Sequence, residues 1–181
     1  MQGKLVVLSG PSGVGKDTVL DAWRERNGRV ERVVTYTTRT PRPGEVHGVD
    51  YVFVTRERFF EHAESGDFLE HKEVHGNHYA SPLCDTEEML RQGKIAVLKI
   101  DVQGALAVMP LRPDALTVFL LPPNGNELAR RIRERGTETN DEVIRRLRNA
   151  EGEMALAGAY AHRIVNDDVE RTVDQLEALA R

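Results

Sequence analysis

The segment Gly10-Pro11-Ser12-Gly13-Val14-Gly15-Lys16-Asp17 constrains this chain more than any other. It follows the apolar run Leu5-Val6-Val7-Leu8 and precedes Thr18-Val19-Leu20-Asp21-Ala22-Trp23, an order that reads as strand, glycine-rich loop, helix. The spacing fits the phosphate-binding loop Gly-x-x-x-x-Gly-Lys-[Ser/Thr] at every position but the last, where Asp17 stands. Glycines permit backbone conformations that a Cβ blocks. Several N–H groups can then turn inward around an anion, and the helix N-terminus adds its partial positive charge. Lys16 is placed to reach the β- and γ-phosphates of a nucleoside triphosphate. An ordinary glycine-rich turn is the bland alternative, and the strand and helix on either side argue against it.

Downstream, apolar runs and helical stretches alternate, which predicts an α/β fold with a mostly parallel sheet. Strands are expected at Lys4–Ser9, Ile95–Ile100, Leu116–Leu121 and Arg163–Val165, and helices at about Lys16–Arg26 and Val169–Ala180. A stretch punctuated by glycine and proline, about Val33 to Tyr79, reads as β-rich, with a short helix around Phe59 and Phe60. Ser81-Pro82 reads as an N-cap followed by proline at the first helical position, opening a helix that ends near Gly93. Asn124 with Glu127 reads as a variant capping box for a helix to Arg135, ended by Gly136, and Thr139 with Glu142 marks the next helix, to about Ala157. The expected organisation is one domain: a core of 1–33, 82–123 and 158–181, a β-rich insert at 34–81, and an arginine-rich helical lid at 124–157.

Bulk properties set milder limits. At 181 residues the chain is long enough to bury a sizeable core. The net charge of −4 argues against a dedicated nucleic-acid binder. A single cysteine, Cys84, excludes an internal disulfide and fits a reducing cytosol, so a cytoplasmic location is expected. No apolar run reads as a signal peptide or a membrane span. His71, His75 and His78 look briefly like metal ligands, but Gly76-Asn77 breaks any helix between them.

A second constellation is more specific. It runs from Thr35-Tyr36-Thr37-Thr38-Arg39-Thr40-Pro41-Arg42-Pro43-Gly44-Glu45 through Gly48-Val49-Asp50-Tyr51 to Phe68-Leu69-Glu70-His71-Lys72-Glu73-Val74-His75-Gly76-Asn77-His78-Tyr79. Further on stand Ile100-Asp101-Val102-Gln103-Gly104-Ala105 and Ile164-Val165-Asn166-Asp167-Asp168. Together with the glycine loop, this pattern resembles the guanylate kinases, ATP-dependent GMP phosphotransferases, over nearly the whole chain. The resemblance implies a P-loop NTPase-type core with a nucleotide-monophosphate-binding insert and a lid. It also implies Mg²⁺ with ATP, and GMP, with dGMP, as acceptor. By the same resemblance Arg39 and Arg42 match arginines that grip the GMP phosphate, with Tyr51 and Tyr79 donating hydroxyls. Glu70, Ser81 and Asp101 match positions around the guanine ring, with Thr35 where the family usually has serine. Arg131, Arg135 and Arg146 match lid arginines, and Asn166 falls in a segment bordering the adenine of ATP.

The residue types support these roles chemically. Arginine meets phosphate with a planar fork. Guanine presents N1–H and an exocyclic amine, both donors, and the Glu70 carboxylate accepts both; adenine offers an acceptor at N1. The GMP phosphate oxygen is already ionised, so transfer needs alignment and charge neutralisation rather than a general base.

Three departures from the family pattern stand out: Asp17, Ala80 where glycine is favoured, and Lys99 where an acidic residue often precedes the strand-end aspartate. Asp17 either ligates Mg²⁺, directly or through water, or turns away and leaves Thr18 to contact phosphate; the first is the expectation here. Asp101, ending an apolar run, reads either as a Walker-B-like aspartate near Mg²⁺ or as a contact to the acceptor nucleotide. A Gly-Lys-Asp-[Ser/Thr] loop also resembles ribose 1,5-bisphosphate kinase, which lacks most of the guanine segment. A non-catalytic guanylate-kinase-like binding module is the remaining alternative, against which Lys16 and the loop glycines stand intact.

Overall fold

Alternate residues of the strand before the glycine loop point to opposite faces, and both faces are buried. In the computed structural model, which describes residues 2–74, 76–134 and 140–181, this strand is β1 (Lys4–Ser9). Val6 and Leu8 pack with Val19, Leu20 and Trp23 of α1 (Lys16–Arg26) and with Val173 and Leu176 of the last helix. Leu5 and Val7 pack on the other face with Val33, Val102, Ala105 and Val108. A strand apolar on both faces belongs inside a parallel sheet covered on two sides.

The remaining elements follow in chain order. They are β2 (Val30–Arg32), β3 (Tyr36–Thr37), β4 (Val52–Phe53), α2 (Arg56–Glu64), β5 (Phe68–Val74), β6 (Asn77–Pro82) and α3 (Leu83–Arg91). Then come β7 (Ile95–Lys99), α4 (Val102–Val108), β8 (Leu116–Leu121), α5 (Gly125–Glu134), α6 (Asn140–Ala155), β9 (His162–Val165) and α7 (Val169–Ala180). Five strands form one parallel sheet in the order β2-β7-β1-β8-β9. β1 lies at its centre, so the glycine loop emerges where the chain turns first one way and then the other across the sheet. Ligands bind outside the carboxyl ends of strands at such a switch point. The ends of β7, β8 and β9 open on the same edge.

The insert forms its own four-stranded sheet, ordered β4-β3-β6-β5, with β3–β4 parallel and the other pairs antiparallel. Phe59 of α2, fully buried, packs its ring on Phe68 and His78 and seals one face of that sheet. The two lid helices share a small core of Leu128 and Ile132 against Val143 and Ala150.

Two local expectations are corrected. Ser81 does not cap α3: β6 runs on to Pro82, which stands at the N-cap, and no side chain caps the helix. The Ser81 hydroxyl instead donates across the hairpin to Glu70. That helix ends at Arg91, near Gly93 as expected, and the Gly93 N–H donates back to Leu90. At the lid, the Asn124 side chain accepts from the Glu127 N–H at 2.8 Å as the cap reading requires. The Glu127 carboxylate does not complete the reciprocal half, because Arg130 and Arg131 occupy it. The expected turn at Gly136 and start at Thr139 lie outside the described residues.

Candidate active site

The glycine loop is held by contacts that leave no room for side chains. Gly10 has φ +146°, and a Cβ there would stand 2.5 Å from the Leu120 carbonyl oxygen. Gly15 has φ +97°, with the Asn166 amide 2.7 Å from where a Cβ would be. Lys16 Nζ donates to the Gly10 and Pro11 carbonyls at 2.5 and 3.0 Å, curling over the loop it belongs to. Both lid helices reach the same loop. Arg131 donates to the Val14 carbonyl at 3.1 Å and to the Asn166 carbonyl at 3.2 Å. Arg146 donates to Ser12 Oγ at 3.1 Å. Arg135, the other lid arginine of interest, lies outside the described residues.

Asn166 has a role that sequence reasoning did not assign. It is buried, its amide donates to the Val14 carbonyl at 2.8 Å, and its carbonyl oxygen accepts from the Thr172 hydroxyl at 3.1 Å. The side chain is thus a strut under the loop. A cavity of about 400 Å³ beside it is lined by Gly13, Gly15, Thr18, Arg131 and Asp167. Asn166→Ala is expected to destabilise the fold by about 1–3 kcal/mol, because two buried hydrogen bonds are lost, while the Val14 carbonyl keeps Arg131 and the Thr172 hydroxyl keeps the Asp168 carbonyl. Urea unfolding measures that loss, and a matching rise in KM for ATP with kcat kept shows that the strut shapes the loop.

The second cavity, about 370 Å³, lies between the insert and the sheet edge. Thr35, Arg42, Tyr51, Glu70, Tyr79 and Asp101 line it. Ser81 sits behind them, fully buried, its hydroxyl donating to Glu70 Oε1 at 2.8 Å because the two residues face each other across β5 and β6. Glu70 Oε2 is buried without a partner among the described residues. Burial pushes the Glu70 carboxyl up, only partly offset by the Ser81 bond and by Lys72. Arg39 is not part of the lining. Its guanidinium is clasped by both oxygens of Glu45, at 2.9 and 2.8 Å, over the Tyr51 ring. Glu45 was visible in the sequence only as the end of a motif, and it orders this loop by also accepting from the Arg42 N–H at 2.7 Å.

Two lysines join the site. Lys72 forms an ion pair with Asp101, whose carboxylate also accepts from the Gly104 N–H at 2.8 Å and so caps α4. Strand alternation places Lys72 on the face of Glu70, and that periodicity was the signal for it. Asp101 lines this cavity and the one under the glycine loop. Lys99 forms an ion pair with Asp17. The carboxylate expected near Mg²⁺ is therefore engaged by an ammonium. Among the described residues no group of three or more His, Cys, Asp or Glu side chains is placed to hold a metal ion.

A glycine loop after the central strand of a parallel sheet, faced by a second polar cavity, defines a P-loop phosphotransferase. The guanylate kinase family model matches residues 2–181. The guanylate kinase of Clostridium perfringens (strain SM101) is 44% identical over 178 residues, covering 98% of this chain and 82% of that protein. That of Lactobacillus johnsonii is 44% identical over 179 residues, covering 98% and 88%. The crystal structure of guanylate kinase from Anaplasma phagocytophilum superposes with a TM-score of 0.77 at 35% identity, covering 98% of this chain and 84% of that one. The chain belongs to the guanylate kinase family, and its reaction is the phosphorylation of GMP by ATP.

Proposed function

We propose the following division of labour for that reaction. The chain divides into a core of 1–33, 82–123 and 158–181, a GMP-binding insert of 34–81 and a lid of 124–157. The glycine loop, Gly10 to Asp17 with Thr18, takes the triphosphate of ATP, and the adenine lies towards the cavity beside Asn166. The insert takes GMP. Glu70, steadied by Ser81, accepts from guanine N1–H and the exocyclic amine, with Thr35 and Asp101 beside the ring. Arg42, Tyr51 and Tyr79 bind its phosphate, joined by Arg39 when Glu45 releases it. dGMP is an acceptor too, because none of these roles falls on the ribose 2′-hydroxyl.

The observation that carries the base assignment is Glu70 Oε2, a buried acceptor with no partner among the described residues. Leaving such an atom unpaired costs about 1–3 kcal/mol, more when charged, and guanine supplies the matching donors. Lys16, Arg131, Arg135 and Arg146 neutralise charge on the moving phosphoryl group and hold it in line. Mg²⁺, bound with ATP, screens the phosphates. Closure of insert and lid excludes water, which would otherwise hydrolyse ATP. No helix among the described residues is long and apolar enough to cross a membrane. A cytoplasmic location is the reading that suits nucleotide substrates of this kind.

ADP release from MgATP, measured in parallel with GMP, dGMP, AMP, UMP and ribose 1,5-bisphosphate, tests the assignment. Turnover with GMP and dGMP is expected. Turnover with AMP equal to that with GMP would remove the base-reading role from Glu70.

A further inference from the structure

Two charges far apart in sequence meet where the two nucleotide cavities join. Lys99 ends β7 in register with Leu8 of β1, so it leaves the sheet beside the strand that leads into the glycine loop. Its side chain is only 13% exposed, whereas that of its partner Asp17 is 58% exposed. An enclosed ammonium needs an anion close by, because burying a lone charge costs several kcal/mol. Asp17 supplies one from the first turn of α1, where the helix dipole favours a carboxylate. Burial alone would push the Asp17 carboxyl up, but Lys99, then Arg32 and Lys16, hold it below the usual range.

The position of Lys99 is more telling than its pairing. It lines the acceptor cavity with Arg42, Tyr51 and Glu70. It also lines the cavity of about 250 Å³ under the glycine loop, with Lys16 and Asp17. Among the described residues it is the one lysine or arginine that lines both. The group that passes from one nucleotide to the other crosses this junction.

We propose that Lys99 is a further catalytic residue: its ammonium, anchored by Asp17, binds oxygens of the phosphoryl group in transit, and Asp17 is its positioning residue. An ammonium has three donors, so one on Asp17 leaves two for phosphate. In the transfer, an oxygen of the GMP phosphate forms the new bond to the γ-phosphorus. The bond from that phosphorus to the β–γ bridging oxygen breaks, and its electron pair leaves with ADP. Lys99 keeps its proton throughout. The pair adds one cation and one anion, so the carboxylate next to Lys16 is tolerated beside a triphosphate.

The inference rests on the phosphoryl transfer described above, which GMP turnover by the parent protein tests separately. The experiment compares Lys99→Met, Lys99→Arg, Asp17→Asn and the double variant Asp17→Asn/Lys99→Met. It measures kcat, KM for GMP and MgATP, the Mg²⁺ concentration for half-maximal rate, and the melting temperature. Lys99→Met is expected to lower kcat about 30- to 100-fold, as loss of a transition-state donor does, with both KM values moving less than about fivefold. Lys99→Arg should recover at least about a third of the parent kcat, since the cation is kept. Asp17→Asn should lower kcat about three- to tenfold without moving the Mg²⁺ requirement, and the double variant should behave as Lys99→Met does. If Lys99→Met unfolds, Lys99→Arg and Asp17→Asn carry the comparison. A Lys99→Met protein with parental kcat overturns the proposal. So does a double variant restored to parental kcat, which would make the pair mere mutual neutralisation. A Mg²⁺ requirement raised tenfold by Asp17→Asn overturns it as well, because the carboxylate would then serve the metal.

Discussion

Lys16→Met is expected to lower kcat/KM for ATP by about 10³-fold or more, because it removes the cation nearest the phosphates that the loop holds. In the structure Lys16 Nζ is bonded to the Gly10 and Pro11 carbonyls. Those bonds hold the ammonium over the loop, so its removal takes away the charge that the loop itself offers to a triphosphate. Methionine keeps the length of the side chain and the helix propensity of the position, so the melting temperature should fall by no more than a few degrees. A coupled ADP assay with calorimetric ATP binding measures both parts of the loss. A drop of less than about tenfold would show that the lid arginines, not Lys16, carry the charge on the transferred group.

Glu70→Gln is expected to cut kcat/KM for GMP by about 10²–10³-fold, while KM for ATP stays within about threefold. The glutamine amide can keep the bond to Ser81 or present one acceptor to guanine, but it cannot accept two donors from the base. Discrimination against AMP should fall with it, read as the ratio of kcat/KM values for the two acceptors. Equal losses for GMP and ATP would move Glu70 out of the base pocket. The same residue gives a pH signature. Its folded pKa is raised by burial above the ordinary carboxylate value. The charged form therefore costs stability above the raised folded value, and the cost disappears as pH falls through that value towards the unfolded one. Glu70→Gln should thus stabilise the nucleotide-free protein at neutral pH and leave it unchanged in acid, as thermal melts at several pH values would show. Acid should also weaken GMP binding, because a protonated Glu70 presents one acceptor fewer.

The glycine loop, the alternating apolar runs and the arginine-bearing segment were legible in sequence because each is a local pattern. The loop needs glycine at fixed offsets. A strand buried on both faces reads as a continuous apolar run, as in Leu5 to Leu8. The insert is legible as β-rich by its turn residues, though not strand by strand. Ser81-Pro82 shows where local logic fails. Its composition is that of a helix cap, but the partner that claims its hydroxyl, Glu70, comes from the opposite strand. Asn166 and Glu45 fail in the same way: the first is spent beneath the glycine loop and the second on Arg39.

Read along the chain, the residues imply a phosphate-binding loop on a parallel sheet, and they name the side chains proposed to read guanine. Backbone geometry, periodicity and side-chain chemistry are short-range, so they can be read in order along the chain. Which charges meet depends on the fold. Lys99 is 82 residues from Asp17, and Lys72 is 29 from Asp101. The first pair forms because the end of β7 and the start of α1 meet at one edge of the parallel sheet, the second because β5 of the other sheet packs against α4, which Asp101 caps. Coulomb attraction acts on distance in space, and the order of strands, which no local pattern contains, sets that distance.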